Sequence, residues 1–256
     1  MVPDLTESRV ALVTGAGRGI GRAVARELSK HGMRVALTAR SPQELAATAE
    51  ACDGETLEHP ADITDPEAVE RIHLHVEKAW GAVDVLVANA GAGVSASLAK
   101  TTDEQWQHML DLNLTAPFRC IRRAVPHMVE QGYGRVVVIA SVAAKRGEPY
   151  IAAYTASKHG VLGLVRSAAA ELADNGVTVN AVCPGYVDTP MTAGTIAGIV
   201  AKTGRTAAEA QSILRARQPI NRLITADEVA AAVWLCVANG AINGQGINVD
   251  GGALQS

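Results

Sequence analysis

Short aliphatic and β-branched runs alternate with stretches of helical periodicity along the whole chain. Residues Arg9–Val13, Arg34–Thr38, Val83–Ala88, Arg135–Ala140, Val177–Val182 and Gly246–Val249 read as strands, and a weaker one, Glu55–His59, fits between the second and third of these. The runs at 34–38, 135–140 and 177–182 are nearly unbroken apolar segments, the mark of strands covered on both faces. Helix starts are signalled at Ser41-Pro-Gln-Glu44, Thr64-Asp-Pro-Glu67, Thr102-Asp-Glu-Gln105 and Thr225-Ala-Asp-Glu228. Each places Ser or Thr three residues before Glu or Gln, the spacing at which both side chains satisfy orphan backbone amides reciprocally. No repeat, low-complexity tract or linker interrupts the pattern, so a single domain over residues 1–256 is expected. Alternating strands and helices with short connections predict an α/β fold, a doubly wound parallel sheet of about seven strands with ligands at the strands' carboxyl ends. Residues 191–218 break the rhythm: they read as helical but contain Gly194, Gly198 and Gly204.

Composition sharpens this picture. Hydrophobic residues make up 48% of the chain, yet only eight side chains are aromatic and 46 are alanine, so helices and sheet must pack closely. With 23 basic and 26 acidic residues and no basic stripe, a dedicated nucleic-acid binder is excluded. No apolar run reaches the roughly 18 residues of a membrane-spanning helix, and Met1–Ser8 lacks the basic-then-apolar layout of a signal peptide. Cys52, Cys120, Cys183 and Cys236 lie far apart, which predicts free thiols in a cytoplasmic protein rather than disulfides or a zinc site.

The first strand runs into Thr14-Gly-Ala-Gly-Arg-Gly-Ile-Gly21 and then a helix over 22–30. Glycines at 15, 19 and 21 permit a tight turn, close approach of a pyrophosphate and close helix–strand packing, and the helix N-terminus favours phosphate. An NAD enzyme is expected to offer a carboxylate to the ribose 2′-hydroxyl after the second strand. Here that position reads Thr38-Ala39-Arg40-Ser41, and Arg40 together with Arg18 would clasp a 2′-phosphate instead. NADP(H) is therefore expected in preference to NAD(H).

Tyr154 and Lys158 are four residues apart, one turn apart on one helix face. A phenol is a poor base at neutral pH, and an adjacent ammonium is expected to lower its pKa. Ser141, thirteen residues upstream, lies just past a buried strand, where strand ends meet ligands. His159 points about 100 degrees away from Lys158 around the helix and reads as a packing residue. His73 and His75 do not share a face, and no catalytic metal is expected.

Together these motifs resemble the short-chain dehydrogenase/reductase family over essentially residues 6–252: TGxxxGxG from Thr14, Asn89-Ala-Gly91, Asn113, Ser141, Tyr154-Thr-Ala-Ser-Lys158 and Pro184-Gly185. Ala88 departs from the family, which usually has a second Asn there. The resemblance implies a Rossmann-type sheet of order 3-2-1-4-5-6-7. It implies that Tyr154 is the acid/base, that Ser141 stabilises the carbonyl oxygen, that Lys158 also holds the nicotinamide ribose, and that Asn113 positions a relay water. Gly15, Arg18, Gly19, Ile20, Gly21, Arg40, Asp62, Ile63, Asn89, Ala90 and Gly91 would contact the cofactor, with Asp62-Ile63 holding adenine unless Asp62 is only a turn residue before a Thr64 cap. Pro184, Gly185, Val187 and Thr189 would line the nicotinamide. Val142, Ala143, Tyr150 and Tyr186 would line an apolar substrate pocket under a lid at about 191–218; no Arg or Lys near them is an obvious carboxylate clamp, Lys145, Arg146 and Arg215 being candidates that the sequence does not place.

Within the family, the stretches from Tyr154 and Val179 look most like ketoacyl and polyketide ketoreductases and secondary-alcohol dehydrogenases. The implied activity is hydride transfer between a nicotinamide and a neutral ketone or secondary alcohol, including an acyl thioester. The alternatives are an NAD(H)-dependent alcohol dehydrogenase and a nucleotide-sensing regulator without turnover. The resemblance also implies a homotetramer joined partly through Val249-Asp-Gly-Gly252, and no nucleic-acid or membrane partner.

Overall fold

A computed structural model describes residues 9–255; the Met1–Ser8 segment read above lies outside them. Seven strands, β1 (Val10–Thr14), β2 (Arg34–Ala39), β3 (Thr56–Pro60), β4 (Val85–Ala88), β5 (Gly134–Ile139), β6 (Val177–Pro184) and β7 (Gly246–Val249), form one sheet of order β3-β2-β1-β4-β5-β6-β7. Every neighbouring pair is parallel. The helices are α1 (Gly19–Lys30), α2 (Pro42–Ala49), α3 (Pro66–Trp80), α4 (Asp103–Leu110), α5 (Ala116–Glu130), α6 (Ala152–Leu172), α7 (Pro190–Thr203), α8 (Ala207–Ala216) and α9 (Ala226–Ala238). The order matches the expected Rossmann-type sheet.

The period of two along each strand divides the core. Leu12, Leu86, Val136, Val138 and Val179 face α3, α5 and α6, whereas Val13, Val85, Val87, Val137 and Val182 face α1, α2 and α9. The side chains are small and branched, so the layers approach closely without large rings between them. Tyr133 alone among the aromatics is buried, at 6% exposure. The four cysteines are free, three of them buried.

Element boundaries moved where a polar side chain took over a backbone group. β4 starts at Val85 rather than Val83, because the buried carboxylate of Asp84 accepts the Val10 amide (2.9 Å) and the Gln131 amide (2.9 Å). Capping boxes close at Thr102–Gln105 and Thr225–Glu228, and another, Thr206–Glu209, escaped the sequence reading. Ser41 accepts the Glu44 amide, but the Glu44 carboxylate turns to Arg18. At 64–67 the expected cap is wrong. Asp65 caps α3 by accepting the Glu67 amide, while Asp62, a stronger acceptor than a hydroxyl, captures both the amide and the hydroxyl of Thr64 at 2.9 and 2.7 Å.

At the amino ends of the strands, Arg135 is 5% exposed and donates to the carbonyls of Gly134 (2.8 Å), Gly176 (3.1 Å) and Val237 (3.2 Å). The Tyr133 ring lies between the Arg9 and Arg135 guanidiniums, 4.4 and 4.5 Å from its centroid. Replacing Arg135 with Met removes the donor to two buried carbonyls, Gly134 and Val237, and is expected to lower stability by about 2–4 kcal/mol in denaturant melts. Turnover per folded molecule should stay unchanged, because this cluster is at the opposite end of the sheet from the strand ends described next.

Candidate active site

β1 ends at Thr14, and Gly15 (φ +64°) turns the chain toward α1. A Cβ on Gly21 would collide with the Gly15 carbonyl oxygen, so the crossing of turn and helix requires glycine. Arg18, the N-cap, makes no side-chain capping bond, and the first turn of α1 carries no acidic residue. The free amides and positive dipole end there suit a phosphate. Beneath the loop, Asn89 Nδ2 donates to the carbonyls of Thr14 (2.8 Å) and Gly15 (3.1 Å), and the Thr14 hydroxyl accepts the amides of Asn89 and Ala90, both at 3.0 Å. Arg22 donates to the Gly17 carbonyl at 2.7 Å and to the Thr48 hydroxyl at 3.1 Å. Asn89 is thus a brace for the loop. Arg22 and Thr48 are further braces that the sequence reading missed, since neither belongs to a spacing motif. Across the loop, Thr189 Cγ2 lies 3.2 Å from where a Cβ on Gly19 would stand, which places Thr189 and Ile20 at the same end of the cleft.

After β2, Arg40 is exposed with no carboxylate on its own segment, and Arg18 holds the half-exposed Glu44 carboxylate at 3.4 Å. Asp62 is also at this edge. Its carboxyl is held below the usual range first by the two Thr64 bonds and further by the charge of Arg40. Asp62 thus holds the turn before α3, and Ile63 beside it is buried. The end of the cleft nearest Arg18 and Arg40 accordingly fits an anionic group such as a ribose 2′-phosphate.

Deeper in, Lys158 is 4% exposed and donates to the Ile139 carbonyl at 2.8 Å, with Nζ 5.7 Å from the Tyr154 ring centroid. Burial brings the Lys158 pKa down to about 8. Burial also pushes the half-buried Tyr154 phenol above its usual value, a hydrogen bond with Ser141 draws it down, and Tyr186 and Cys183 push it up. Loss of water is thus the leading influence on the phenol, and the Lys158 ammonium uses one of its three hydrogens on the Ile139 carbonyl. Ser141 caps the short turn Val142–Ala144 by accepting the Ala143 amide at 3.1 Å. Asn113 lies in a π-helical turn, Asp111–Thr115, its side chain paired with both backbone groups of Ala92 at 3.0 and 3.2 Å. Its second Nδ2 hydrogen points to Met109 Sδ at 3.6 Å, while Oδ1 accepts only the Ala92 amide. Gly91 is wedged beside it: a Cβ there would stand 2.9 Å from Asn113 Oδ1 and 3.6 Å from Lys158 Nζ.

On the substrate side, Tyr150 holds a left-handed backbone (φ +67°) and is 65% exposed, its carbonyl accepting the Ala96 amide at 2.8 Å. Ala143 is buried behind Ser141. The three candidate carboxylate clamps are all engaged elsewhere. Lys145 donates to the Gly246 carbonyl (2.6 Å), Arg146 pairs with Glu148 (2.7 Å), and Arg215 donates to the Asn221 carbonyl (3.1 Å). The Tyr186 hydroxyl instead accepts from Arg217 at 3.2 Å. His159 bonds the Thr155 carbonyl on the exposed side of α6, His73 is buried, and His75 pairs with His59 Nδ1 to Nδ1 at 2.9 Å, a contact that no sequence spacing announced. Among the described residues no group of three or more metal-ligating side chains occurs.

A phosphate-seeking glycine turn and a Tyr–Ser–Lys cluster at one end of a single parallel sheet define a dinucleotide-dependent oxidoreductase. Residues 9–199 match the short chain dehydrogenase family, and the chain belongs to that family. It is similar to the actinorhodin polyketide ketoreductase solved with NADPH, with a TM-score of 0.92 and 39% identity over 96% of this chain and 97% of that one. It is 35% identical to the D-beta-hydroxybutyrate dehydrogenase of Rhizobium meliloti, covering 96% of this chain and 98% of the relative. It is 34% identical to the 3-oxoacyl-acyl-carrier-protein reductase of Escherichia coli, covering 96% and 97%.

Folding lowers the Lys158 pKa from 10.5 to about 8, so burying its charge costs stability at every pH below about 8, and the cost fades as pH rises toward 10.5. Lys158→Met is therefore expected to be more stable than the wild type at pH 7 by about 1–3 kcal/mol, with the gap narrowing above pH 9. Parallel denaturant titrations across pH measure this, and an unchanged gap would contradict the burial account.

Proposed function

We propose that the chain is an NADP(H)-dependent carbonyl reductase or secondary-alcohol dehydrogenase acting on a neutral ketone, either a cyclic or aromatic one or a 3-oxoacyl thioester. The observation that carries this reading is the gathering of Ser141, just past β5, and Tyr154 at the carboxyl ends of the strands, with the buried Lys158 ammonium 5.7 Å from the Tyr154 ring centroid. When bound, the nicotinamide supplies hydride to the carbonyl carbon or accepts it from the carbinol carbon. Tyr154 gives its phenolic proton to the carbonyl oxygen in reduction and takes it back in oxidation. Its raised pKa keeps that proton on the phenol at neutral pH, which suits reduction. Ser141 donates a hydrogen bond to the same oxygen as negative charge develops on it. Lys158 holds the nicotinamide ribose and shifts the phenol toward phenolate once both share one partner. The engagement of Lys145, Arg146 and Arg215 elsewhere supports a neutral substrate over a free keto acid. Support for the 2′-phosphate comes from Arg18 and Arg40, and from the polyketide ketoreductase solved with NADPH.

The protein acts on a small molecule, including one carried as a thioester, in the cytoplasm; among the described residues no helix is long and apolar enough to cross a membrane. The helix pair α7–α8 closes over the substrate, and a homotetramer forms partly through the half-buried edge strand β7. Light scattering should return four times the 26.6 kDa chain mass, and a monomer mass would overturn this assembly. A steady-state panel of ketones and acyl thioesters with NADPH and NADH side by side tests the activity. Turnover is expected with NADPH, and Tyr154→Phe should lower kcat by about two to four orders of magnitude with NADPH binding retained. NADPH binding without oxidation by any carbonyl would favour a nucleotide-sensing regulator instead.

A further inference from the structure

Gln218, just past α8, is 1% exposed, and both polar atoms of its amide are bonded. Oε1 accepts the Tyr186 amide at 2.7 Å, while Nε2 donates to the carbonyls of Tyr186 (3.2 Å) and Arg222 (2.6 Å). A Cβ on Gly185 would collide with that same Oε1. Gly185 has no positive φ, so space rather than backbone freedom demands glycine there, and Gln218 occupies that space. Around this staple the chain doubles back: Asn221 adopts φ +52°, Ile224 donates to the Tyr186 carbonyl at 2.9 Å, and the Val187 and Ile224 backbones bridge in parallel. The neighbouring Arg217 holds the Tyr186 hydroxyl.

We propose that Gln218 is a positioning residue: it sets the Pro184–Val187 segment against the nicotinamide and links that segment to the end of the α7–α8 helix pair. This deepens the reading above and rests on it. Gln218 touches neither cofactor nor substrate, so it acts on the placement of the ring rather than on cofactor affinity, which the glycine loop and the arginines supply at the far end of the cleft. Leucine at 218 would leave the Tyr186 amide and the Arg222 carbonyl without this partner. Glutamate would keep an acceptor for the Tyr186 amide but, when ionised, would have no hydrogen to donate to either carbonyl.

The test follows NADPH by its own emission and by turnover. Gln218→Leu is expected to keep the NADPH dissociation constant within about threefold while losing at least about half of the emission enhancement on binding, because the ring is held less firmly. Its kcat should fall by about tenfold or more, with the ketone KM little changed. Gln218→Glu should be impaired at pH 8 and recover relative to the wild type as pH falls toward 5, when the carboxyl regains a donor. A Leu variant with emission and kcat within about twofold of the wild type, or a Glu-to-wild-type ratio flat across pH, would overturn the proposal. Should the Leu variant not fold, the Glu pH profile decides. Should the wild type bind NADPH but reduce no carbonyl, the activity assigned above fails, and the emission comparison still judges Gln218.

Discussion

Burial of a parallel sheet on both faces governs everything else in this protein. Strands that all run one way have no hairpins, so each connection crosses over a face and delivers its loop to the same edge of the sheet. The seven strands therefore collect the glycine turn, Asn89–Gly91, Ser141 and Pro184–Val187 within one cleft, although they are spread over some 170 residues of chain. Small branched side chains on alternating strand positions let helices lie close on both sides. The same double cover explains why hydrophobic runs, rather than alternation, marked the strands in the sequence.

The site works against the stability that this packing provides. A lysine ammonium is enclosed beside a half-buried phenol, with one backbone carbonyl as the ammonium's bonded partner. Both groups are driven toward their neutral forms by loss of water. The positive φ of Tyr150 adds backbone strain at the rim. At the opposite edge the buried Arg135 is met by backbone carbonyls and the Tyr133 ring, and the Asp84 carboxylate by the Val10 amide and Gln131.

Much of this was legible from residues alone, because the relevant signals are local or periodic. The glycine spacing, the four-residue interval from Tyr154 to Lys158, and the apolar strand runs each follow from geometry within a few residues. What escaped was decided by competition between partners distant in sequence. Asp62 outcompeted the helix for Thr64, so α3 took Asp65 as its cap. Lys158 found a partner in the Ile139 carbonyl, nineteen residues away. Gln218, an ordinary glutamine in a weakly patterned stretch, met Tyr186 only through the folding back of residues 217–224. No spacing rule reports such meetings, since each depends on which donor arrives first within reach of a given acceptor.

The π-helical turn at Asp111–Thr115 gives the stretch from α4 to α5 two phases. One surplus residue rotates all that follows by about 100 degrees from the course a regular helix would take. On one side of it α4 lies against α6; on the other, α5 lays Ala116, Cys120, Ala124 and Met128 on the core, and Asn113 sits at the joint facing Ala92. Heredity should therefore guard the count of residues here more closely than their kinds. A substitution alters one contact, whereas losing a single codon would re-index an entire face.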